Sequence, residues 1–226
     1  MAEYTPLQEI AYNHVRKLVL SGQLQPNVLY SETKMAKEIE ISRTPMKDAL
    51  VRLSQDKFID IIPSKGFRLH QMSKEDIWST YQARAAVEGF CAIQLAHQRG
   101  TPEGQTTVRA MEQCLHDMER LLKEPDTEDR ITGLLEQDVK FHQTLVDFYR
   151  NEELMQLFKT YHYRLNFIAL ESLRVEGRPE GAFVEHKAIW EAITDSSDAV
   201  GIRAYMATVL HLESTRDTML STLPDL

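Results

Sequence analysis

The chain has 226 residues, enough for two modest domains, with two cysteines and a formal net charge of −8. No apolar run reaches membrane length, and the N-terminus is polar from Glu3 on, which speaks against a signal peptide; Cys91 and Cys114 lack metal-type spacing and read as packing residues in a reducing cytoplasm. The acidic total hides a division, because residues 1–72 hold ten Lys and Arg against eight Asp and Glu, a net of +2, while the remainder nets −10. An acidic body behind a mildly basic head suits a protein that meets a polyanion with one face only.

In chain order, Leu7, Ile10, Ala11, Val15 and Leu18 fit one face of a helix, and Gly22 follows its last turn as a stop. Ser31 is a predicted N-cap, with Glu32 in the first turn and Met35, Ala36 and Ile39 facing inward. Only Glu40 and Ile41 separate that helix from Ser42, the N-cap of a third helix whose apolar stripe is Met46, Ala49, Leu50 and Leu53. Arg43 and Lys47 lie one turn apart on the opposite face, beside Thr44, at a helix end whose unpaired N–H groups and positive partial charge suit a phosphate. A buried side and a cationic leading end are what a helix entering a DNA major groove needs. Two strands, 58–62 and 66–70, then flank the turn Pro63-Ser64-Lys65-Gly66, and Gly66 beside Lys65 allows close approach of backbone to another surface.

This stretch resembles the GntR family of bacterial transcription regulators. Their signature runs from G-x-L-x-P-G, through S-R-T-P-V-R-E-A-L, to a wing tipped by glycine. Here it stands as Gly22-Gln23-Leu24-Gln25-Pro26-Asn27, then Ser42 to Leu50, then Gly66. Asn27 and Lys57 replace glycines, Met46 a valine, Lys47 an arginine and Asp48 a glutamate. Lysine cannot make arginine's two-pronged contact to guanine. Thr33 stands where some members carry a DNA-contacting arginine. The resemblance implies a winged helix-turn-helix over residues 1–72 that touches DNA through Thr33, Ser42, Arg43, Thr44, Lys47, Lys65 and Gly66.

From Ser73 the pattern is helical throughout, with segments at 73–99, 102–124, 127–150, 152–173, 180–195 and 197–221, so an antiparallel bundle of six or seven helices is expected over 73–226. Polar residues fall where apolar ones belong. Asp138 and His142 share the stripe of Ile131, Leu134, Phe141 and Leu145; His186 lies within that of Phe183, Trp190 and Ile193. His211, near Ala204 and Ala207, is weaker by pattern. A buried carboxylate needs a partner or a metal. The periodicity leaves two readings open: a site for zinc, nickel or manganese, or an Asp–His hydrogen bond among unrelated core histidines. Arg84, Tyr81 and Glu88 share a stripe with Ile77, Cys91 and Leu95; they form either an internal Arg84–Glu88 pair or a guanidinium clamp for a carboxylate. Asn166 is a further candidate for the same pocket. His14, His70, His97, His116 and His162 have no partner spacing and read as surface or satisfied core residues.

The region from about 75 to 221 looks like the FCD effector domain of the FadR-like branch of GntR regulators. Its metal-binding members carry D-x-x-x-H, then E-H, then H-L, matched here by Asp138 to His142, Glu185-His186 and His211-Leu212, with the opening R-x-x-x-E as Arg84 and Glu88. The resemblance implies a divalent ion on Asp138, His142, His186 and His211, most naturally zinc, that helps hold a small organic acid. The expected function is an effector-controlled repressor, cytoplasmic and homodimeric, that binds inverted-repeat DNA, with the short segment His70 to Lys74 carrying the bias to its heads. The alternatives are a metal-dependent enzyme of 3-His-1-carboxylate type, for which no clear general base is seen, and a regulator that senses the metal itself.

Overall fold

The computed structural model describes residues 6–20, 23–25, 27–197 and 199–223, without the side chains of residues 20, 160, 162 and 163. The predicted helix stop at Gly22, Pro26 of the turn motif and the side chain of His162 therefore lie outside the described residues. The chain divides into two compact units, Met1–Met72 and Ser73–Leu226.

In the first unit, helix α1 (Leu7–Leu20) and helix α2 (Glu32–Glu38) pack on helix α3 (Arg43–Gln55), and a hairpin of β1 (Ile59–Ile62) and β2 (Gly66–Leu69) follows. The strands are antiparallel, with Ile59 opposite Leu69 and Ile62 opposite Gly66. Met46, Ala49, Leu50 and Leu53 of α3 are buried as the stripe predicts, each large one contributing about 1.5–3 kcal/mol over an exposed position. The core-facing side of α1 differs from the expected one. Leu7 and Ile10 are 49% and 41% exposed, whereas Tyr12 and Val19 are buried with Ala11 and Val15. Tyr12 turns the helix, because its hydroxyl donates to Asp56 Oδ2 at 2.6 Å and its ring lies under the Arg52 guanidinium. Burial and the Asp56 carboxylate raise the Tyr12 hydroxyl well above its ordinary pKa.

Among the described residues the second unit holds six helices: α4 (Lys74–Gln98), α5 (Pro102–Leu121), α6 (Glu128–Phe148), α7 (Glu152–Leu173), α8 (Arg178–Thr194) and α9 (Val200–Thr222). Side chains of Ser73, Thr101, Thr127 and Asn151 cap the first four, and Ser73 with Asp76 closes a full capping box. Helix α4 packs along α9 and also meets α6, α7 and α8. The α4–α9 crossing is close at Gly89, where a Cβ would come within 2.7 Å of the Tyr205 ring. The core gathers Cys91, Leu95, Met111, Cys114, Phe141, Leu145, Ile189 and Ile193. On α8 the deep positions are Ala182, His186, Ile189 and Ile193, while the predicted stripe residues Phe183 and Trp190 are only partly buried at its edge. Trp190 sits there because its indole N–H reaches the Val108 carbonyl at 3.1 Å. Among the described residues no helix is long and apolar enough to cross a membrane.

Candidate metal centre and recognition helix

Helix α6 supplies two of the polar core residues, because Asp138 and His142 stand four apart on its buried face. Helices α8 and α9 bring His186 and His211 to the same point, and one ligand atom from each of the four residues lies within 4.8 Å of all the others. His142 Nε2 is 3.1 Å from His211 Nε2 and 3.1 Å from His186 Nε2, and His186 Nε2 is 3.2 Å from Asp138 Oδ1.

The far side of each ring is engaged elsewhere. His186 Nδ1 donates to the Ala182 carbonyl at 2.7 Å, and His211 Nδ1 to Glu185 Oε2 at 2.8 Å. His142 Nδ1 lies 2.6 Å from Glu88 Oε2, a contact too oblique for a well-formed hydrogen bond. Glu88 in turn accepts from Arg84 Nε at 2.6 Å, and Glu185 from Arg178 at 2.8 Å. Burial works against ionising Glu88, but Arg84 and His142 outweigh it and hold the carboxyl at about 2; for Glu185, burial is outweighed by His211 to give about 2 as well. Asp138 also opposes its own burial and is held far below the usual carboxylate range by the bond from His186 and the neighbouring imidazoles. Burial depresses His142 against the pull of Glu88, and takes His211 down to about 3. Neutral imidazoles beside ionised carboxylates are the protonation state a metal requires.

The tautomers follow. A carbonyl and an ionised carboxylate only accept, so His186 and His211 each carry a proton on Nδ1, and the neutral ring of His211 turns a bare Nε2 lone pair inward. A proton on His142 Nε2 can bridge only one of its two Nε2···Nε2 contacts. A cation at the centre relieves every one of these contacts. Tetrahedral zinc with nitrogen at 2.0–2.1 Å sets its ligands roughly 3.3 Å apart, close to the observed separations. Carboxylate or carbonyl partners behind each histidine are also the usual outer shell of a metal site. The donor set therefore fits a divalent ion.

Of the residues read from sequence as effector contacts, Arg84 lines three small cavities against α7, each of about 10 Å³. Asn166 joins Arg84, Asp138 and His142 around the first of them, and Tyr81 joins Arg84 at the third while its hydroxyl donates to Glu213 at 3.0 Å. Glu88 is fully buried and faces His142 and Arg84, so it orients a ligand and lines none of these cavities. Arg178 and Glu185, the support behind His211, were missed as site residues. Glu185 stands beside His186 in the motif, but its link to α9 depends on tertiary packing; Arg178 has no periodic signal at all.

In the first unit, Thr33, Ser42, Arg43, Thr44, Lys47 and Lys65 are all exposed. Ser42 holds the N-cap position of α3, but its hydroxyl makes no cap bond. Arg43 Nε is 3.3 Å from Glu32 Oε1 in an exposed pair, worth at most about 1 kcal/mol and easily given up. Gly66 has a different reason for being glycine from the expected one. Its φ is +124°, and a Cβ there would meet the Tyr30 carbonyl oxygen at 2.1 Å. The surface it approaches is the protein's own: Tyr30 and Phe67 exchange hydrogen bonds of 2.7 and 3.0 Å, which tie the hairpin to the segment before α2.

Residues 7–69 match the model of the bacterial regulatory proteins of the gntR family, and residues 79–212 match the FCD domain. The chain belongs to the GntR family of bacterial transcription regulators. It is 27% identical over 189 residues to the HTH-type transcriptional regulator YdhC of Bacillus subtilis, covering 84% of this chain and 81% of that one. It is 24% identical to the gluconate operon transcriptional repressor of Bacillus licheniformis, over 71% of this chain and 62% of that one. A structure assigned to the GntR regulators of Rhodococcus sp. RHA1 shares the fold at a TM-score of 0.69 and 16% identity, covering 97% of this chain and all of the other. This GntR protein is thus a DNA-binding regulator of transcription and not an enzyme, and its four clustered Asp and His residues all lie inside the FCD match.

Proposed function

We propose that this regulator binds an inverted-repeat operator as a homodimer, and that a short carboxylic acid, held beside a divalent ion on Asp138, His142, His186 and His211, controls its grip. The observation that carries the metal reading is the convergence of three imidazole Nε2 atoms, that of His142 lying 3.1 Å from each of the other two, with the Nδ1 atoms of His186 and His211 tied back to Ala182 and Glu185. Three nitrogens and a carboxylate oxygen suit zinc first, then nickel or manganese. The bound ion would supply a Lewis-acidic point for a carboxylate, and Arg84, which lines the adjoining cavities, would hold that carboxylate's other oxygen.

On the DNA side, Arg43 and Lys47 project from α3 to read the groove. Ser42, Thr44 and the free N–H groups of the first turn meet phosphate, as does Lys65 at the hairpin tip, with Thr33 on α2 at the edge. One α3 spans few base pairs, so two heads on paired half-sites are needed for specificity. The gluconate-operon relative is a repressor, and repression is the sign proposed here.

The test uses the purified full chain. Elemental analysis should find stoichiometric divalent metal, and a chelator should lower the melting temperature, since an ion at a hundred times its Kd contributes about 2.7 kcal/mol. Small carboxylic acids should change operator binding in a fluorescence anisotropy assay, and Arg84→Ala should abolish that response while keeping the ion. Metal-free protein with a melting curve indifferent to chelator would leave the four residues as a hydrogen-bond network and remove this reading.

A further inference from the structure

The second of the three cavities differs from its neighbours. It is lined by Arg84, Asp138, Ala169, Ser172, Leu173, Arg178, Ala182 and Thr215, so it touches a proposed metal ligand at one side and a second arginine at the other. Arg178 is 8% exposed and Ser172 2% exposed. One Arg178 nitrogen is used up by Glu185 at 2.8 Å and Thr215 Oγ1 at 2.9 Å, yet its Nε is buried without a hydrogen-bond partner, and so is Ser172 Oγ. Two buried donors around one small cavity, one of them cationic, are costly unless an acceptor completes them. The cavity beside Asn166 offers a neutral amide where this one offers a guanidinium.

We propose that Arg178 Nε and Ser172 Oγ form a second anion-holding end of the effector pocket, so that the effector is a short dicarboxylic acid with one carboxylate toward the metal side and Arg84 and the other on Arg178 and Ser172. The inference rests on the metal-and-acid reading above and adds the class of acid. A guanidinium aimed at a carboxylate makes a charge-assisted bond, which a methyl group in the same place cannot accept. Cavities of about 10 Å³ each hold about one water, so even a short diacid has to open the space between them, and an acyl tail or a sugar acid would need far more. Thr215 stands one turn after His211 and donates to its carbonyl at 3.2 Å, so the second end and the proposed ion share a helix face.

The experiment is calorimetric titration of the zinc-loaded full chain with matched pairs: malonate against propionate, succinate against butyrate, glutarate against pentanoate. Within at least one pair the dicarboxylate should bind roughly ten- to a hundredfold more tightly, the range of one hydrogen bond to a charged group. Ser172→Ala should shrink that preference with monocarboxylate binding and zinc content unchanged, and Arg178→Gln should erase it. Ser172→Ala removes one oxygen and carries the test alone if Arg178→Gln disturbs folding through Glu185. Equal affinity within every pair, or a preference untouched by both substitutions, overturns the proposal and leaves the cavity to water, while retained zinc keeps the metal reading intact. Absence of zinc binding defeats both, and the elemental analysis tells the two failures apart.

Discussion

The two units carry the side chains proposed as functional in opposite ways. In the head, Arg43, Thr44 and Lys47 follow one another along one exposed helix face, and the apolar stripe of α3 that positions them is only a half-turn away. In the bundle, Asp138, His142, His186 and His211 come from three helices, and their supports Glu88, Arg178 and Glu185 lie on α4 and α8; all are buried except Glu185, which is partly so. A surface that must meet a large partner can be written locally, one residue at a time. A site that must strip water from an ion has to be closed from several sides, so each member depends on the others' packing. Substitutions in the head should therefore act singly and leave the fold alone. Those in the bundle should act together and reach stability.

The largest effect is expected for His142→Ala. It removes a central nitrogen and also strands Glu88 with Arg84 as its remaining partner, so metal affinity should fall by more than about a hundredfold. Chelator should then lower the melting temperature of wild type and leave that of the variant unmoved. A variant that still binds zinc as wild type does would break the idea of a closed, interdependent site.

Glu185→Gln sharpens the same side of the comparison. The amide keeps the shape and one acceptor oxygen but loses the charge that faces Arg178 and His211, so a loss of about 10–100-fold in metal affinity is expected by competition with a fluorescent chelator. An unchanged affinity would show that the hydrogen bond to His211 suffices without the charge of Glu185.

How far each unit is legible in the sequence follows from this contrast. Ser42 to Leu50 reads as a recognition helix because its periodicity, cap position and charges lie within nine consecutive residues. The face of α1 misleads at Leu7 and Ile10 because Tyr12 counts as polar at its tip, and only the Asp56 partner, distant in sequence, allows it to be buried. His211 is faint by pattern for a related reason. The inner face of α9 sets Gly201, Ala204, Thr208 and Thr215 among Val200, Leu212 and Met219, so α4 can lie close and no continuous stripe of large apolar residues leads to His211. Arg178 precedes any periodic signal and is recognised only once Glu185 and Thr215 are seen around it.

In the head, Arg43→Ala should cost roughly 1–3 kcal/mol of operator affinity and relax base preference at one position of each half-site, with the melting curve unchanged. Lys65→Ala should weaken binding to all sequences alike and reduce the slope of log K against log salt by about one for each phosphate the lysine neutralises. Anisotropy titrations across a salt series read both. Loss of folding in Arg43→Ala would remove the contrast between a surface written locally and a core written jointly, and unchanged binding would remove α3 from the interface.

The smallest expected effect is a gain. After α3, the Phe58 N–H bonds the Leu53 carbonyl at 2.9 Å and the Lys57 N–H bonds the Ser54 carbonyl at 3.1 Å, the paired bonds of a Schellman turn. Such a turn needs a left-handed residue, and Lys57 supplies it at φ 61° where the GntR pattern usually has glycine. A side chain with a Cβ costs about 1 kcal/mol in that conformation. Lys57→Gly should therefore raise the stability of the head by about 1 kcal/mol, several degrees in melting temperature for a unit of this size. Lys57→Ala keeps the Cβ and should gain nothing. Zinc content and acid binding should not respond to either change, because the strain is local to the head. A Lys57→Gly variant that melts no higher than Lys57→Ala would mean that a Cβ at this left-handed position carries no strain to relieve.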